Sequence, residues 1–418
     1  MSSPPQTAIT SPSLMQTSGR TWKVTGSASR RLILLVALLA LAAAGLFAQR
    51  AWFSPEARER RLAAMSLDQL EKRAGDSRDP LLFSHLARAR SEVGDLPGAI
   101  AAAEQATQLD PHSGRRRATL GTLLLSAGRD TEALAQLQQA LQDDPSVVDP
   151  YLGLALFYQR YEAWDRVAVL AETAATIDPR SLSAWMLRGD AAAQLGQQQR
   201  AAEYYQQAAR VAPRSPLPRA RAARARLAAD DVDAAERWAR DAVHVGPKEP
   251  AAFAALGYVL LKRGSERLPE AISCLEQAIA LGETTGDAYL GLGRAYQRQG
   301  RYLDAEQQFR FALRADHSRN DARYGLFQVL KAQGRDAEAA VVDREFRDWT
   351  RLQEQRARAS DSVTLHPKTP EKWFALARIE AKMGLWDSAR RVVESGLRRA
   401  PNDPAGLKLR AEIDRNVR

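Results

Sequence analysis

Cysteine is nearly missing from this 418-residue chain, in which Cys274 stands alone. A single thiol excludes an intramolecular disulfide, a CxxC redox pair, a CxxCH haem attachment and any all-cysteine zinc site within one chain. Histidine is almost as scarce. The five present (His85, His112, His244, His317 and His366) include no pair at i, i+3 or i, i+4 that would face a common metal. No cofactor or metal is expected. A Ser-His-Asp set, a glycine-rich phosphate loop and a zinc-helix motif are also absent, and the acids recur at intervals suited to i, i+4 pairing on helices, so intrinsic catalysis is not expected. Val, Ile, Thr and aromatic residues are sparse beside Ala, Leu, Arg, Gln, Glu and Asp. That balance disfavours sheets and favours long helices, giving an all-α expectation.

Acidic residues are missing altogether from the first 50 positions, where Arg20, Lys23, Arg30, Arg31 and Arg50 contribute half of the formal net charge of +10. The rest of the chain is close to balanced, as expected of a surface laced with ion pairs. Residues 1–29 are rich in Ser, Thr, Pro and Gly and bury too little to offset ordering entropy, so they read as a disordered basic leader. Long apolar runs are confined to one place, the 17 uncharged residues from Leu32 to Ala48. At 1.5 Å per residue this run spans roughly 25 Å, the short end of what a bilayer core requires.

Segment 30–50 is therefore expected to be a transmembrane signal-anchor in contact with the lipid bilayer. A cleaved signal peptide leaving a soluble exported adaptor, and a buried helix, are the alternatives. The lack of an amphipathic period argues against burial, and the length of the run argues against cleavage, although Ala42, Ala44 and Ala48 would suit a signal peptidase. Ser29 to Leu35 weakly resembles a twin-arginine export signal. Flanking charge places the N-terminus in the cytoplasm and the bulk of the chain outside it, periplasmic in a bacterium.

A 34-residue period organises the remainder. Its skeleton is Gly, Ala five positions on, Ala seven further, then Pro: Gly94, Ala99, Ala106, Pro111; Gly128, Ala133, Ala140, Pro145; Gly196, Ala201, Ala208, Pro213. Glu162 and Asp230 replace the glycine in two copies, His317 the proline in another, and Gly384, Ala389, Gly396 and Pro401 close the series. Each copy also pairs a bulky residue with a small one four positions later, as Tyr151 with Ala155 and Trp185 with Gly189. This pattern resembles the tetratricopeptide-repeat family over about 320 residues, from Pro80 to about Asp403. The turn glycine lets the chain leave one helix left-handed and the proline ends the next, so each unit is a helical hairpin stabilised by its neighbours.

The resemblance implies a right-handed α-solenoid of stacked hairpins. Residues 51–79 form a helical N-terminal cap opening with the capping box at Ser66, and 80–349 hold eight units. Residues 350–369 continue a helix to about Ala359 and then a linker; 370–403 form a ninth unit and 404–418 a capping helix. Two extra residues near Ser265 to Pro269 lengthen the sixth turn. Cys274 and the tryptophans Trp164, Trp185, Trp373 and Trp386 read as packing residues; an intermolecular disulfide is the alternative for Cys274.

The resemblance also implies a partner-binding concave groove lined by the first helix of each unit. Carried over by position, it comprises Arg88, Arg160, Arg224, Tyr258, Lys262, Arg294, Arg298, Tyr324, Phe374, Arg378 and Lys382. Eight of the eighteen residues at the ninth and thirteenth positions are basic and two are acidic, so the groove is expected to be basic and to suit an extended acidic segment or a terminal carboxylate of a protein or peptide. The Lys and Asn that chaperone-binding members use are missing. Few aromatics interleave the cations, so nucleic acid is not expected as a partner.

Overall fold

The computed structural model describes residues 54–417 except 76, 284 and 367. Among these, every regular element is helical. They divide into two compact units, one ending at Pro111 and the other beginning at His112.

In the first unit two short helices, Pro55–Ala63 and Leu67–Ala74, precede a hairpin of Pro80–Glu92 and Leu96–Leu109. Side-chain oxygens start each of them. Ser54 accepts from the backbone N–H of Ala57, and Ser66 and Gln69 form the reciprocal capping box expected from sequence. Leu62, Leu70, Leu82 and Leu86 are buried.

The second unit stacks eight more hairpins. The second hairpin of the chain pairs Gly114–Ser126 with Asp130–Asp143, the third Val148–Arg160 with Trp164–Ile177, the fourth Leu182–Gln194 with Gln198–Val211, and the fifth Leu217–Ala228 with Val232–Val245. The sixth pairs Pro250–Arg263 with Leu268–Ala280, the seventh Asp287–Arg298 with Tyr302–Ala315, the eighth Asn320–Ala332 with Asp336–Leu365, and the ninth Pro370–Lys382 with Trp386–Leu397. Helix Pro404–Asp414 closes the unit.

Packing explains the repeated small residues. The second helix of a hairpin sends one large side chain between the first helix of its own hairpin and that of the next. Phe309 is fully buried, and a Cβ added at Gly293 or Gly325 would come within 2.6 Å or 2.5 Å of its ring. Leu275 is held in the same way between Gly257 and Gly291. The ninth hairpin inverts the device: Phe374 comes from the first helix and is received by Gly396 and Gly406. Alanine fills most remaining contacts, with Ala133, Ala171, Ala201, Ala239 and Ala305 completely buried.

The turns follow the expected chemistry. Glycines such as Gly196 (φ 77°) and Gly300 (φ 73°) take the left-handed conformation, as do Glu162 (φ 55°) and Asp230 (φ 63°), where an L side chain costs about 1–2 kcal/mol. After Gly264 the two extra residues wind into a short 3₁₀ turn, Ser265–Arg267. The eighth hairpin departs from expectation. Its second helix does not give way to a linker after Ala359 but runs to Leu365, making 30 residues. Ala359 and Val363 pack into the core of the ninth hairpin, and that burial overrides the weak helix propensity of the intervening Ser, Asp and Thr.

The single-pass membrane location is corrected by these helices. Among the described residues none is long and apolar enough to cross a membrane. Even the 30-residue helix carries Asp343, Arg344, Glu345, Arg347 and Asp348 in close succession, a density of charge that a bilayer core rejects. The run Leu32 to Ala48, on which the transmembrane helix, signal-anchor and bilayer contact rested, lies outside the described residues, as does the leader. The membrane placement, with its cytoplasmic N-terminus and extracytoplasmic repeats, is not retained.

Because Phe309 has no free space to retreat into, Gly325→Ala is expected to lower stability by about 1–3 kcal/mol. Urea denaturation of the variant beside the parent chain measures this.

Candidate functional site

The residues expected to line a basic groove do not form a row of free cations. Arg160 bonds Asp130 at 2.7 Å, and Asp130, 6% exposed, also accepts from the Tyr161 hydroxyl at 2.9 Å. Arg224 reaches Asp287 at 2.8 Å across the intervening sixth hairpin. Lys262 pairs with Asp230 at 3.2 Å, so the acid at that left-handed turn is answered by the next hairpin. Arg294 lies 3.4 Å from Asp321, and Arg298 donates to the carbonyl of Leu261. In the first unit Arg88 pairs with Glu92 at 2.9 Å.

The acids missed by counting slots occupy the second position of the following unit, the turn, or the first turn of the second helix. Asp287 ties three other hairpins to its own. It bonds Arg224 and Arg319 through its carboxylate, while its backbone oxygen accepts the Tyr258 hydroxyl at 2.6 Å. Hairpins five to eight thus converge on one residue. Burial and the charge of Asp287 push the Tyr258 phenol well above its ordinary range. Asp190 plays a similar part with Tyr205 (2.6 Å) and Arg221, and Glu306 with Arg310 (2.9 Å) and Arg335 (2.5 Å). Sequence carries a signal for part of this: Arg294 at the ninth position of one unit meets Asp321 at the second position of the next.

The apolar members separate. Phe374 is 1% exposed and belongs to the ninth hairpin's core, so it cannot meet a partner. Its fifth position faces the neighbouring helices, as does that of Leu290, 3% exposed. Tyr324 is 46% exposed and its ring lies 5.5 Å from that of Phe346. Arg378 and Lys382 are exposed and have no carboxylate partner among the described residues.

Between the first helices of the second and third hairpins lies an open cavity of about 370 Å³, lined by Thr122, Leu125, Ser126, Leu156, Gln159 and Arg160. Leu156 is 42% exposed at its mouth. A larger cavity of about 490 Å³ in the first unit runs between its capping helices, past Arg58, Arg73 and Asp79. Its Arg58 is paired with Asp79 at 2.6 Å. No group of three or more His, Cys, Asp or Glu is placed to hold a metal among the described residues. Cys274 is half-buried against the large core cluster, and burial pushes its thiol up to about 11.

Profiles described as tetratricopeptide repeat match residues 92–156, 183–215, 260–302, 290–347 and 370–413. The chain is a tetratricopeptide-repeat protein. A 67-residue stretch of this repeat protein is 40% identical to the small glutamine-rich tetratricopeptide repeat-containing protein 2 of Mycosarcoma maydis, covering 16% of this chain and 19% of that one. It thus spans about a fifth of that relative's length. A solved monomeric mutant of IFIT1 with Gppp-AAAA matches at a TM-score of 0.50 and 16% identity, over 79% of this chain and 86% of that one. A tetratricopeptide repeat protein from Parabacteroides merdae matches at 0.47 and 18%, over 59% and 97%. At such identities the likeness concerns the fold alone.

Two outcomes are expected. Asp287→Asn removes the carboxylate that Arg224 and Arg319 share, leaving Arg319 only the longer 3.6 Å pair with Asp316, and should cost about 1–2 kcal/mol in urea denaturation. Native Cys274, whose folded pKa lies above that of a free thiol, should react with iodoacetamide at pH 8 at least about tenfold more slowly than in the urea-unfolded chain. Its contribution to stability is complete below pH 9, the ordinary thiol value, and is lost as pH rises through about 11.

Proposed function

We propose that this tetratricopeptide-repeat protein is a non-enzymatic scaffold that holds an extended segment of a protein partner against the first helices of its hairpins. Tetratricopeptide-repeat proteins generally mediate protein–protein interaction. The observation that carries the reading here is the open cavity beside Leu156, a half-exposed apolar anchor, with the Gln159 amide at its rim and the Thr122 and Ser126 hydroxyls, which donate to the carbonyls of Ala118 and Thr122, able to accept from a partner's backbone.

An acidic segment suits the face through partner exchange rather than through idle cations. The Lys262–Asp230 and Arg294–Asp321 pairs are exposed on both sides, and such pairs contribute about 0–1 kcal/mol, so an incoming carboxylate can displace the resident one. Arg378 and Lys382 offer further charge on the ninth hairpin.

An array of acidic and neutral peptides tested against the full chain decides the matter. Acidic peptides should bind in a salt-sensitive way, and Leu156→Glu should weaken them at least tenfold, about 1.4 kcal/mol. Equal binding by neutral peptides would remove the acidic preference. No peptide binding, or binding indifferent to Leu156→Glu, would remove the proposed site, and tight binding of an oligonucleotide control would favour a nucleic-acid partner.

A further inference from the structure

One contact in the second unit joins residues 194 apart in sequence. Arg356, on the long helix of the eighth hairpin, bonds Glu162 in the turn of the third hairpin at 3.1 Å. Its Nε bonds Glu380 of the ninth hairpin at 2.9 Å. The two acids differ sharply: the Glu380 side chain is 2% exposed and that of Glu162 is 58% exposed. Glu162 also occupies a left-handed turn that glycine takes in most other hairpins, so the backbone there is strained.

The cores on either side of Arg356 are distinct. The large apolar cluster extends through Ala339 and Val342 at the base of the long helix. A second cluster begins at Val363 and contains the ninth hairpin and the closing helix, with Phe374, Val393 and Ile413 at its centre. The ninth hairpin therefore packs on the far end of the long helix as a body with its own core. Among the described residues it also comes near earlier repeats at its turn and towards the end of its second helix. The turn at Gly384 lies by the His317 ring, and the charges of Arg391 and Arg398 are felt at Tyr161, next to Glu162.

We infer that Arg356 is a latch: anchored on buried Glu380, it closes the C-terminal body against the third hairpin by grasping exposed Glu162. The buried half of the pair is costly to break, because it would leave a carboxylate without its cation inside the core. The exposed half is weak and reversible. The structure thus assigns the opening to the Glu162 side, with Arg356 travelling with the ninth hairpin. The third hairpin's turn is uncovered when the latch is open.

Glu162→Gly separates this latch from general stability, since glycine relieves the strained turn and leaves Arg356 and Glu380 paired. With spin labels at Asp165→Cys and Asp387→Cys in a Cys274→Ser background, the full chain should show one narrow distance distribution. Glu162→Gly should broaden it toward longer distances and raise amide exchange across residues 370–397 at least threefold, with no fall in melting temperature. Glu162→Arg, which sets a second cation against Arg356 while leaving the buried Arg356–Glu380 pair intact, should open the body at least as far. An unchanged distance distribution and exchange rate in Glu162→Gly would overturn the latch. So would a Glu162→Arg variant whose distances stay as short and as narrow as those of the parent chain.

Discussion

Everything in the stacked hairpins depends on how close two helices can come when one presents only hydrogen or methyl. Phe309 and Leu275 each occupy a slot whose walls are glycine Cα atoms of successive hairpins, and those contacts fix the spacing of the array. With the spacing fixed, side chains at the edges of neighbouring hairpins come within bonding distance in a regular way. The ion-pair ladder is a consequence of that geometry. At that spacing Asp287 bonds arginines from both the fifth and the eighth hairpins.

The ladder gives the acids a structural part that simple surface pairing would not. Asp130, Glu236 and Glu306 are each buried to below 10% exposure and each is answered by arginine. Well-bonded buried pairs add little net stability, yet breaking one is costly. A misplaced neighbour would strand such a charge at that cost. The open region beside Leu156 stands out because the ladder pairs Arg160 behind it and leaves its apolar mouth uncovered.

Much of the fold was legible in the sequence because the small residues recur in register. The turn glycines, the helix-ending prolines and the capping box at Ser66 each act through local backbone physics. The end of the long helix was not legible, because Ser360 to Thr364 are poor helix formers held by the packing of Val363 on a neighbour. The face of the array was only partly legible. Positional counting placed Arg160, Arg224 and Lys262 but took no account of acids contributed by other hairpins, and it set Phe374 on a surface when its ring is sealed between Gly396 and Gly406. Whether an arginine is free is a tertiary property. No single repeat encodes it.

The alanine-filled interior has a thermal consequence. Alanine buries far less hydrocarbon than leucine or phenylalanine, so a core in which Ala133, Ala171, Ala201, Ala239 and Ala305 make the central contacts removes little apolar surface from water per residue. The heat-capacity change of unfolding scales with that surface. A small value flattens the curve of stability against temperature, which spreads modest stability over a wide range and weakens the pull toward unfolding in the cold.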